Sequence, residues 1–169
     1  MKNSTDPMDS LYPSREVVFV CSGNTCRSPM AEGFARHFLK LHGLDDRWSA
    51  SSLGIMAIDG LPATEFAVRV MLEHGIDISG HRTRRAESWA PPGGSLVLGM
   101  TREHVDRMKR LHSGEGTTIL LLGEASLPFC RGEALEVPDP FGSGLSRYRG
   151  VAAIIREMTL GLVHGLGPC

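Results

Sequence analysis

The chain has 169 residues, of which 41% are hydrophobic and 22% charged, and its formal net charge is −1. This length and composition are typical of one folded domain and exclude an intrinsically disordered protein. The balanced charge gives no support for a nucleic-acid or membrane-surface binder, and every uninterrupted apolar run is too short to span a bilayer. The N-terminus lacks an apolar segment of signal-peptide length, so we expect a cytoplasmic protein. We also expect it to act as a monomer.

The predicted elements begin after a short extension. Residues 1–14 are polar, contain two prolines and show no periodicity, so we expect a mobile N-terminal extension followed by one domain over residues 15–169. Aliphatic runs within the domain predict strands at residues 17–20, 96–100 and 118–122, and a short segment at residues 48–53 is interpreted as a further strand, which gives four. Apolar residues at helical spacing, with suitable first and last residues, predict four helices, at residues 29–43, 66–75, 101–111 and 148–162.

The alternation of these strands and helices predicts the fold class. It is typical of an α/β protein, a three-layer sandwich with helices on both faces of a four-stranded parallel sheet. A strand order of 2-1-3-4 would place the loop after the first strand at the switch point of the sheet, where ligands bind in open α/β folds.

That loop, CSGNTCRSP at residues 21–29, carries the strongest chemical signal. Between a strand and a helix, such a loop directs successive backbone N–H groups inward at the positive end of the helix dipole, which predicts a cradle for a dianionic phosphoryl group. Arg27 can clamp the same group with two parallel hydrogen bonds. The field favours the thiolate of Cys21, and the Ser28 hydroxyl can donate to that sulfur. A cysteine ending a strand is often only a small core residue, but the whole loop favours a nucleophile.

The loop and four other motifs resemble the low-molecular-weight protein phosphatases, a family related to the small tyrosine phosphatases. The other motifs are SSLG at residues 51–54, HGIDISGHRTR at 74–84, VLGMTREH at 97–104 and VPDPFG at 137–142. They occur in the family's order and leave out only the N-terminal extension. The resemblance implies an enzyme that dephosphorylates proteins without a cofactor.

The matched motifs imply a role for each polar residue. Cys21 would be the nucleophile that forms a phosphocysteine intermediate, and Arg27 would bind the phosphate and stabilise the transition state. Asp139, between two prolines, would be the general acid that protonates the leaving group and then activates water. Phosphate and substrate would be bound by Ser22, Gly23, Asn24, Thr25, Cys26, Ser28 and Phe141. A polar network holding the loop in shape would consist of Asn24, Ser28, Ser52 and His81.

Thr25 and Phe141 bear on which phosphoryl group is removed. Tyrosine-directed members of the family typically carry isoleucine two residues before the arginine and paired aromatics after the DP motif, whereas Thr25 and Phe141 resemble bacterial protein-arginine phosphatases. Thr25 and the Asp139 carboxylate can both accept N–H groups of a guanidinium, and an apolar wall would leave them unpaired at a cost of about 1–3 kcal/mol. We expect phosphoarginine as the substrate, with phosphotyrosine as the alternative. Ser22 departs from both subclasses, which more often carry threonine or leucine there, and this bears on selectivity.

Of the remaining three cysteines, Cys26 has two possible roles. In this family a second loop cysteine can capture an oxidised nucleophile as a disulfide, so Cys26 is either a redox partner of Cys21 or a small residue facing the core. Cys130 and Cys169 are assigned no role. No metal site is predicted, because Cys21 and Cys26 lack the spacing of a zinc pair.

Two other functions share parts of this pattern. A thioredoxin-coupled arsenate reductase has the same oxyanion loop but needs a further cysteine pair near the third strand, and residues 53–129 contain no cysteine. A non-catalytic phosphate-binding module needs the loop but no general acid, so Asp139 counts against it. Both are less favoured than a phosphatase.

Overall fold

A computed structural model describes residues 15–112, 114, 116–127 and 135–167. The predicted extension at residues 1–14 lies outside the described residues, as do Cys130 and Cys169. Within them, four strands form one parallel sheet in the order β2-β1-β3-β4: Arg15–Cys21 (β1), Trp48–Gly54 (β2), Leu96–Gly99 (β3) and Thr118–Leu121 (β4). The predicted sheet and its strand order are confirmed.

The helices of the described residues cover both faces of this sheet. They are Arg27–Leu41 (α1), Glu65–Glu73 (α2), Arg102–Leu111 (α3), Leu122–Ala125 (α4) and Leu145–Leu166 (α5), with a 3₁₀ turn at Ala86–Ser88. Helices α1, α2 and α5 pack together over one face, and α3 packs against β3 and β4 on the other. The three-layer sandwich is therefore confirmed. None of these helices combines the length and the apolar character that crossing a membrane requires.

Strand β1 lies at the centre of the core because it is apolar on both sides. Successive side chains of a strand point to opposite faces. Val17, Phe19 and Cys21 accordingly join the cluster under α1 and α5, whereas Val18 and Val20 join the cluster under α3. All seven residues of β1 pair with β2, and Val17 to Val20 also pair with β3, so the carboxyl end of β1 is held firmly where the loop begins.

The end of β4 differs from the prediction. The apolar run at residues 118–122 predicts one strand, but the strand ends at Leu121 and Leu122 begins the short helix α4. The partner strand β3 already ends at Gly99, which is paired with Leu121, so no ladder is left to continue. The carboxylate of Glu124 accepts the freed N–H of Leu121 at 3.1 Å and so starts the helix.

Candidate active site

The loop from Cys21 to Arg27 connects the carboxyl end of β1 to the amino end of α1, at the point where the chain order of the sheet reverses. Backbone carbonyls of this loop accept hydrogen bonds from residues outside the loop. Those of Cys21 and Ser22 accept N–H groups from Ile55 and Met56 just beyond β2, at 3.1 and 2.9 Å, and that of Thr25 accepts from the residue that caps α2.

The amides of the same loop have no such partners. The backbone N–H groups of residues 22–27 donate to no acceptor among the described residues. Buried or half-buried donors without an acceptor are rare in folded proteins, and a row of them at a helix amino end is typical of an anion cradle. The loop is thus built to receive the oxygens of a phosphoryl-like group.

Asn24 fixes the shape of the loop. It is fully buried and adopts a φ of +57°, a left-handed conformation that no other non-glycine residue in the described ranges adopts. Its amide nitrogen donates to the hydroxyls of Ser28 and Ser52, both at 2.9 Å, and its side-chain oxygen accepts the backbone N–H of Arg84 at 2.8 Å. The four predicted network residues are therefore in contact, with His81 donating from Nε2 to the Asn24 carbonyl at 2.8 Å.

The network continues to a carboxylate that the sequence analysis missed. Ser52 donates to Glu32 at 2.5 Å, and Glu32 pairs with Arg36 at 2.6 Å. Burial lowers the pKa of His81, although the Asn24 carbonyl and Glu32 both oppose that shift. His81 is therefore neutral at pH 7 and holds its proton on the nitrogen that faces Asn24. The signal for Glu32 was its position one helical turn into α1, on the face that meets β2.

Cys21 and Ser28 face each other at the bottom of the loop. The sulfur of Cys21 lies 2.9 Å from the Ser28 hydroxyl, and both side chains are buried. Because Asn24 already donates to the Ser28 oxygen, the single Ser28 hydrogen is available to a Cys21 thiolate. A carbonyl of β2 is the competing acceptor, at the longer distance of 3.4 Å.

Arg27 and Asp139 meet at the other side of the loop. The guanidinium is almost completely buried and donates to the carbonyl of Val137 at 3.2 Å and to the Asp139 carboxylate at 3.1 Å. Its Nε is buried and has no acceptor among the described residues. Asp139 is half exposed, and its other oxygen accepts the N–H of Phe141 at 3.1 Å. Arg27 thus has donor capacity left for an anion in the cradle.

These residues surround a cavity of about 340 Å³. Its lining includes the predicted residues Cys21, Ser22, Gly23, Thr25, Cys26, Arg27, Asp139 and Phe141. Asn24, Ser28, Ser52 and His81 do not line it and support the loop from behind. A larger cavity, of about 740 Å³, lies between α1 and residues 75–84, and no residue of the loop from 21 to 27 reaches it.

The rim of the small cavity contains three apolar residues that sequence reasoning missed. Met56, Ile58 and Leu61 line it together with Phe141. All four are exposed, Leu61 at 44% and the other three at 69%. The segment after β2 has no regular periodicity, so the sequence offered no signal for this placement. The entrance of the cavity is therefore apolar, whereas its base is polar.

Cys26 lines the cavity but its sulfur also contacts two other elements. It lies 3.2 Å from the hydroxyl of Tyr148 on α5 and 3.5 Å from that of Thr64. Burial raises the pKa of Tyr148 to about 12, and the hydrogen bond to Cys26 adds to that shift. Tyr148 is therefore protonated at pH 7 and can donate to the sulfur. Both Cys21 and Cys26 are free thiols.

A second missed residue is His104 on α3. It is almost fully buried, and its Nε2 lies 3.0 Å from the Ser22 hydroxyl. Its Nδ1 lies 3.1 Å from the backbone nitrogen of Thr101, which caps the helix as predicted. The signal in the sequence was the T-x-x-H spacing at a helix start, in which the third residue can bond back to the cap. In the described ranges, no cluster of three or more His, Cys, Asp or Glu side chains could hold a metal ion.

A cysteine under a cradle of free amides, with a buried arginine and an aspartate beside it, defines an oxyanion site of the kind that cysteine-dependent phosphatases use. Residues 16–167 match the sequence model of the low molecular weight phosphotyrosine protein phosphatase family. The chain belongs to this family of protein phosphatases, whose substrates are phosphorylated proteins.

Individual relatives differ in substrate. A probable low molecular weight protein-tyrosine-phosphatase, EpsP of Ralstonia nicotianae, is 32% identical over 85% of this chain and 90% of its own. A protein-arginine-phosphatase of Geobacillus stearothermophilus is also 32% identical, over 79% of this chain and 83% of its own. Among solved structures, a YwlE arginine phosphatase, a cysteine-to-serine mutant with a phosphorylated active-site serine, has a TM-score of 0.72, 28% identity, and covers 89% of this chain and 95% of its own.

Proposed function

We propose that this protein hydrolyses phosphoarginine in proteins through a phosphocysteine intermediate, and that it does so as a cytoplasmic monomer. The observation that carries the choice of substrate is the Thr25 side chain, which lines the cavity beside Cys21 where an apolar side chain would favour a phenyl ring. The similarity to a protein-arginine-phosphatase supports it.

In the first step, the Cys21 thiolate attacks the phosphorus held by the loop amides and Arg27. An S–P bond forms, the P–N bond to the substrate guanidine breaks, and the leaving nitrogen takes the proton of the Asp139 carboxyl group. Before substrate binds, Asp139 is paired with Arg27. When a phosphoryl group binds the guanidinium instead, the Asp139 carboxylate is released, takes up a proton from water and can then act as the acid at the leaving nitrogen.

In the second step, the Asp139 carboxylate removes a proton from water, whose oxygen attacks the phosphorus. The S–P bond breaks, inorganic phosphate leaves, and Cys21 is again a thiolate that Ser28 stabilises at 2.9 Å. The phosphorylated serine in the mutant YwlE structure supports a phosphoenzyme of this kind.

Phosphotyrosine is the second candidate substrate, and the apolar rim favours it. Met56, Ile58 and Phe141 offer apolar surface to an aromatic ring entering the cavity. The EpsP relative supports this alternative. The two candidates differ in what they require of Thr25, because only a guanidinium brings N–H donors that need an acceptor there.

The experiment compares kcat/KM on a phosphoarginine and a phosphotyrosine peptide of the same sequence. We expect wild type to prefer phosphoarginine and Thr25→Ile to shift the ratio toward phosphotyrosine by about tenfold or more, since an unpaired buried donor costs about 1–3 kcal/mol. Thr25→Ser, which keeps the hydroxyl, is the matched control and should keep the wild-type preference. A wild type that prefers phosphotyrosine, or a ratio that Thr25→Ile leaves unchanged, contradicts the phosphoarginine proposal.

Two further variants test the chemistry. Cys21→Ser should abolish turnover, because a serine hydroxyl is a much poorer nucleophile in the same position. Asp139→Ala should lower kcat by about 10²–10⁴-fold, the usual contribution of general acid–base catalysis. A Cys21→Ser enzyme with wild-type turnover would exclude the phosphocysteine route.

A further inference from the structure

His104 is a buried histidine on α3 that lies one hydrogen bond from the phosphate loop. Both ring nitrogens have hydrogen-bond partners. Nδ1 lies 3.1 Å from the backbone nitrogen of Thr101, and Nε2 lies 3.0 Å from the hydroxyl of Ser22. The hydroxyl of Thr101 also lies 3.1 Å from Nδ1. The ring is thus fixed between the start of α3 and the residue that follows Cys21.

The hydrogen bonds determine where the ring proton lies. A backbone N–H can only donate, so Nδ1 of His104 accepts and carries no proton. The neutral ring then holds its proton on Nε2 and donates it to the Ser22 oxygen. Burial, helped by the positive charge of Arg27 on α1 and opposed by Asp139, lowers the pKa of His104 to about 4. This neutral tautomer is therefore the form present at pH 7.

The tautomer of His104 in turn determines what Ser22 can do. A serine hydroxyl has one hydrogen, and since its oxygen accepts from His104, that hydrogen is directed elsewhere. Ser22 lines the cavity with Cys21 and Arg27, and among the described residues His104 is the one side chain bonded to its hydroxyl. The hydroxyl hydrogen is therefore available to a phosphoryl group held in the cradle.

We propose that His104 is a positioning residue that holds Ser22 as a hydrogen-bond donor to the phosphoryl oxygens of the substrate. The proposal rests on the proposed phosphatase function of this site. It also gives Ser22 a role for which a hydroxyl is required, so an apolar residue at this position would need another source for that hydrogen bond.

A double-mutant cycle tests whether His104 acts through Ser22, with kcat/KM measured on para-nitrophenyl phosphate. We expect Ser22→Ala and His104→Phe each to lower kcat/KM by about tenfold, which corresponds to about 1.4 kcal/mol of transition-state stabilisation. In the double variant we expect no loss beyond that of Ser22→Ala, because His104 acts through the missing hydroxyl. His104→Gln, which keeps an N–H near the Nε2 position, should recover most of the loss. If His104→Phe lowers kcat/KM by the same factor in the wild type and in Ser22→Ala, the proposal is overturned.

Two measurements separate positioning from a general effect on folding. Imidazole ¹⁵N NMR of the wild-type protein at pH 7 should show the His104 proton on Nε2, and a proton on Nδ1 would overturn the proposal. His112→Gln is the matched control, because His112 follows the same helix and bonds a backbone carbonyl at 3.1 Å outside the cavity. It should leave kcat/KM unchanged. A wild type that hydrolyses neither para-nitrophenyl phosphate nor a phosphoarginine peptide would refute the proposed function, whereas the NMR result would still decide the tautomer.

Discussion

Asn24 shows how a single side chain can set the geometry of a site that it does not line. Its left-handed backbone turns the loop, and its amide group bonds Ser28, Ser52 and the backbone of Arg84 at once. Asparagine tolerates this conformation better than other residues with a Cβ, because its short polar side chain bonds locally. The residue therefore supplies both the turn and the contacts that hold it.

Two substitutions separate these contributions. Asn24→Gly keeps the left-handed backbone but loses the hydrogen bonds, and it should destabilise the protein by about 1–3 kcal/mol. Asn24→Ala loses the bonds and adds the left-handed strain, a further ~1–2 kcal/mol. Urea unfolding measures both differences, and kcat/KM should fall in both variants. Equal stabilities of the glycine and alanine variants would show that backbone strain contributes nothing here.

At the scale of elements, the end of β2 supports the loop through close backbone contact. A Cβ on Gly54 would lie 2.7 Å from the carbonyl oxygen of Ser22 and 2.9 Å from the backbone nitrogen of Asn24, distances that side chains do not adopt. Gly54 also pairs with Cys21 across the ladder. The sheet can therefore approach the cradle from behind only because this strand ends in glycine.

Gly54→Ala should consequently displace the loop. We expect a destabilisation of about 1–3 kcal/mol, the usual cost of overpacking, and a fall in kcat/KM of more than tenfold. Gly80→Ala is the matched control, since a Cβ there meets no heavy atom within 4 Å, and it should change neither quantity appreciably. A Gly54→Ala enzyme with wild-type kcat/KM would show that the loop does not depend on this contact.

Helix α5 reaches the site through Tyr148. Its hydroxyl and that of Thr64 hold the Cys26 sulfur on the side of the helices, so a disulfide with Cys21 requires Cys26 to leave these contacts. We propose the Cys21–Cys26 bond as a protective reaction: peroxide oxidises Cys21 to the sulfenic acid, and the Cys26 thiol displaces water from it.

Tyr148→Phe should therefore speed formation of that disulfide. Removal of the hydroxyl frees the Cys26 sulfur from its nearer hydrogen-bond partner, while the ring and its packing remain. Mass spectrometry after peroxide treatment measures the ratio of disulfide to overoxidised Cys21, and we expect this ratio to rise. Cys26→Ser is the control that cannot form the bond. An unchanged ratio in Tyr148→Phe would show that Tyr148 does not restrain Cys26.

At the scale of the whole molecule, buried histidines couple stability to pH. Burial lowers the pKa of His104 from near 6.5 to about 4, and it lowers that of His81 as well. The unfolded chain therefore binds more protons than the folded one between these values, so stability falls as pH falls from about 6.5 toward 4. Above pH 6.5 this contribution is fully present.

Urea unfolding at pH 7 and pH 4.5 measures the effect. His104 alone should account for about 2 kcal/mol of the loss between these two values. His104→Gln has no titrating group there, so its stability should decline by that much less than the wild type. Equal declines in the two proteins would show that His104 titrates near its ordinary pKa when folded.

Much of this molecule could be predicted from sequence because its signals are local. The aliphatic strand before Cys21, the proline at position 29 in the first turn of α1 and the strand–helix alternation all depend on neighbouring residues. The resemblance pointed to Asn24, Ser52 and His81. The helix beginning at Leu122 could not be predicted, because the end of β4 depends on the end of its partner strand. The rim at Met56 and Ile58 depends on the path of an irregular segment, which no periodicity encodes.

The phosphate-binding loop and the proposed general acid, Asp139, come from opposite parts of the chain. The hydrogen bonds of Asn24 that shape the cradle join residues 24–84 of the chain, whereas Asp139 enters from the segment before α5 and pairs with Arg27 at 3.1 Å. A shortened chain that stops before residue 139 would therefore lack the proposed proton donor, even if its loop still bound phosphate. The proposed reaction thus depends on a contact between two segments that are far apart in sequence.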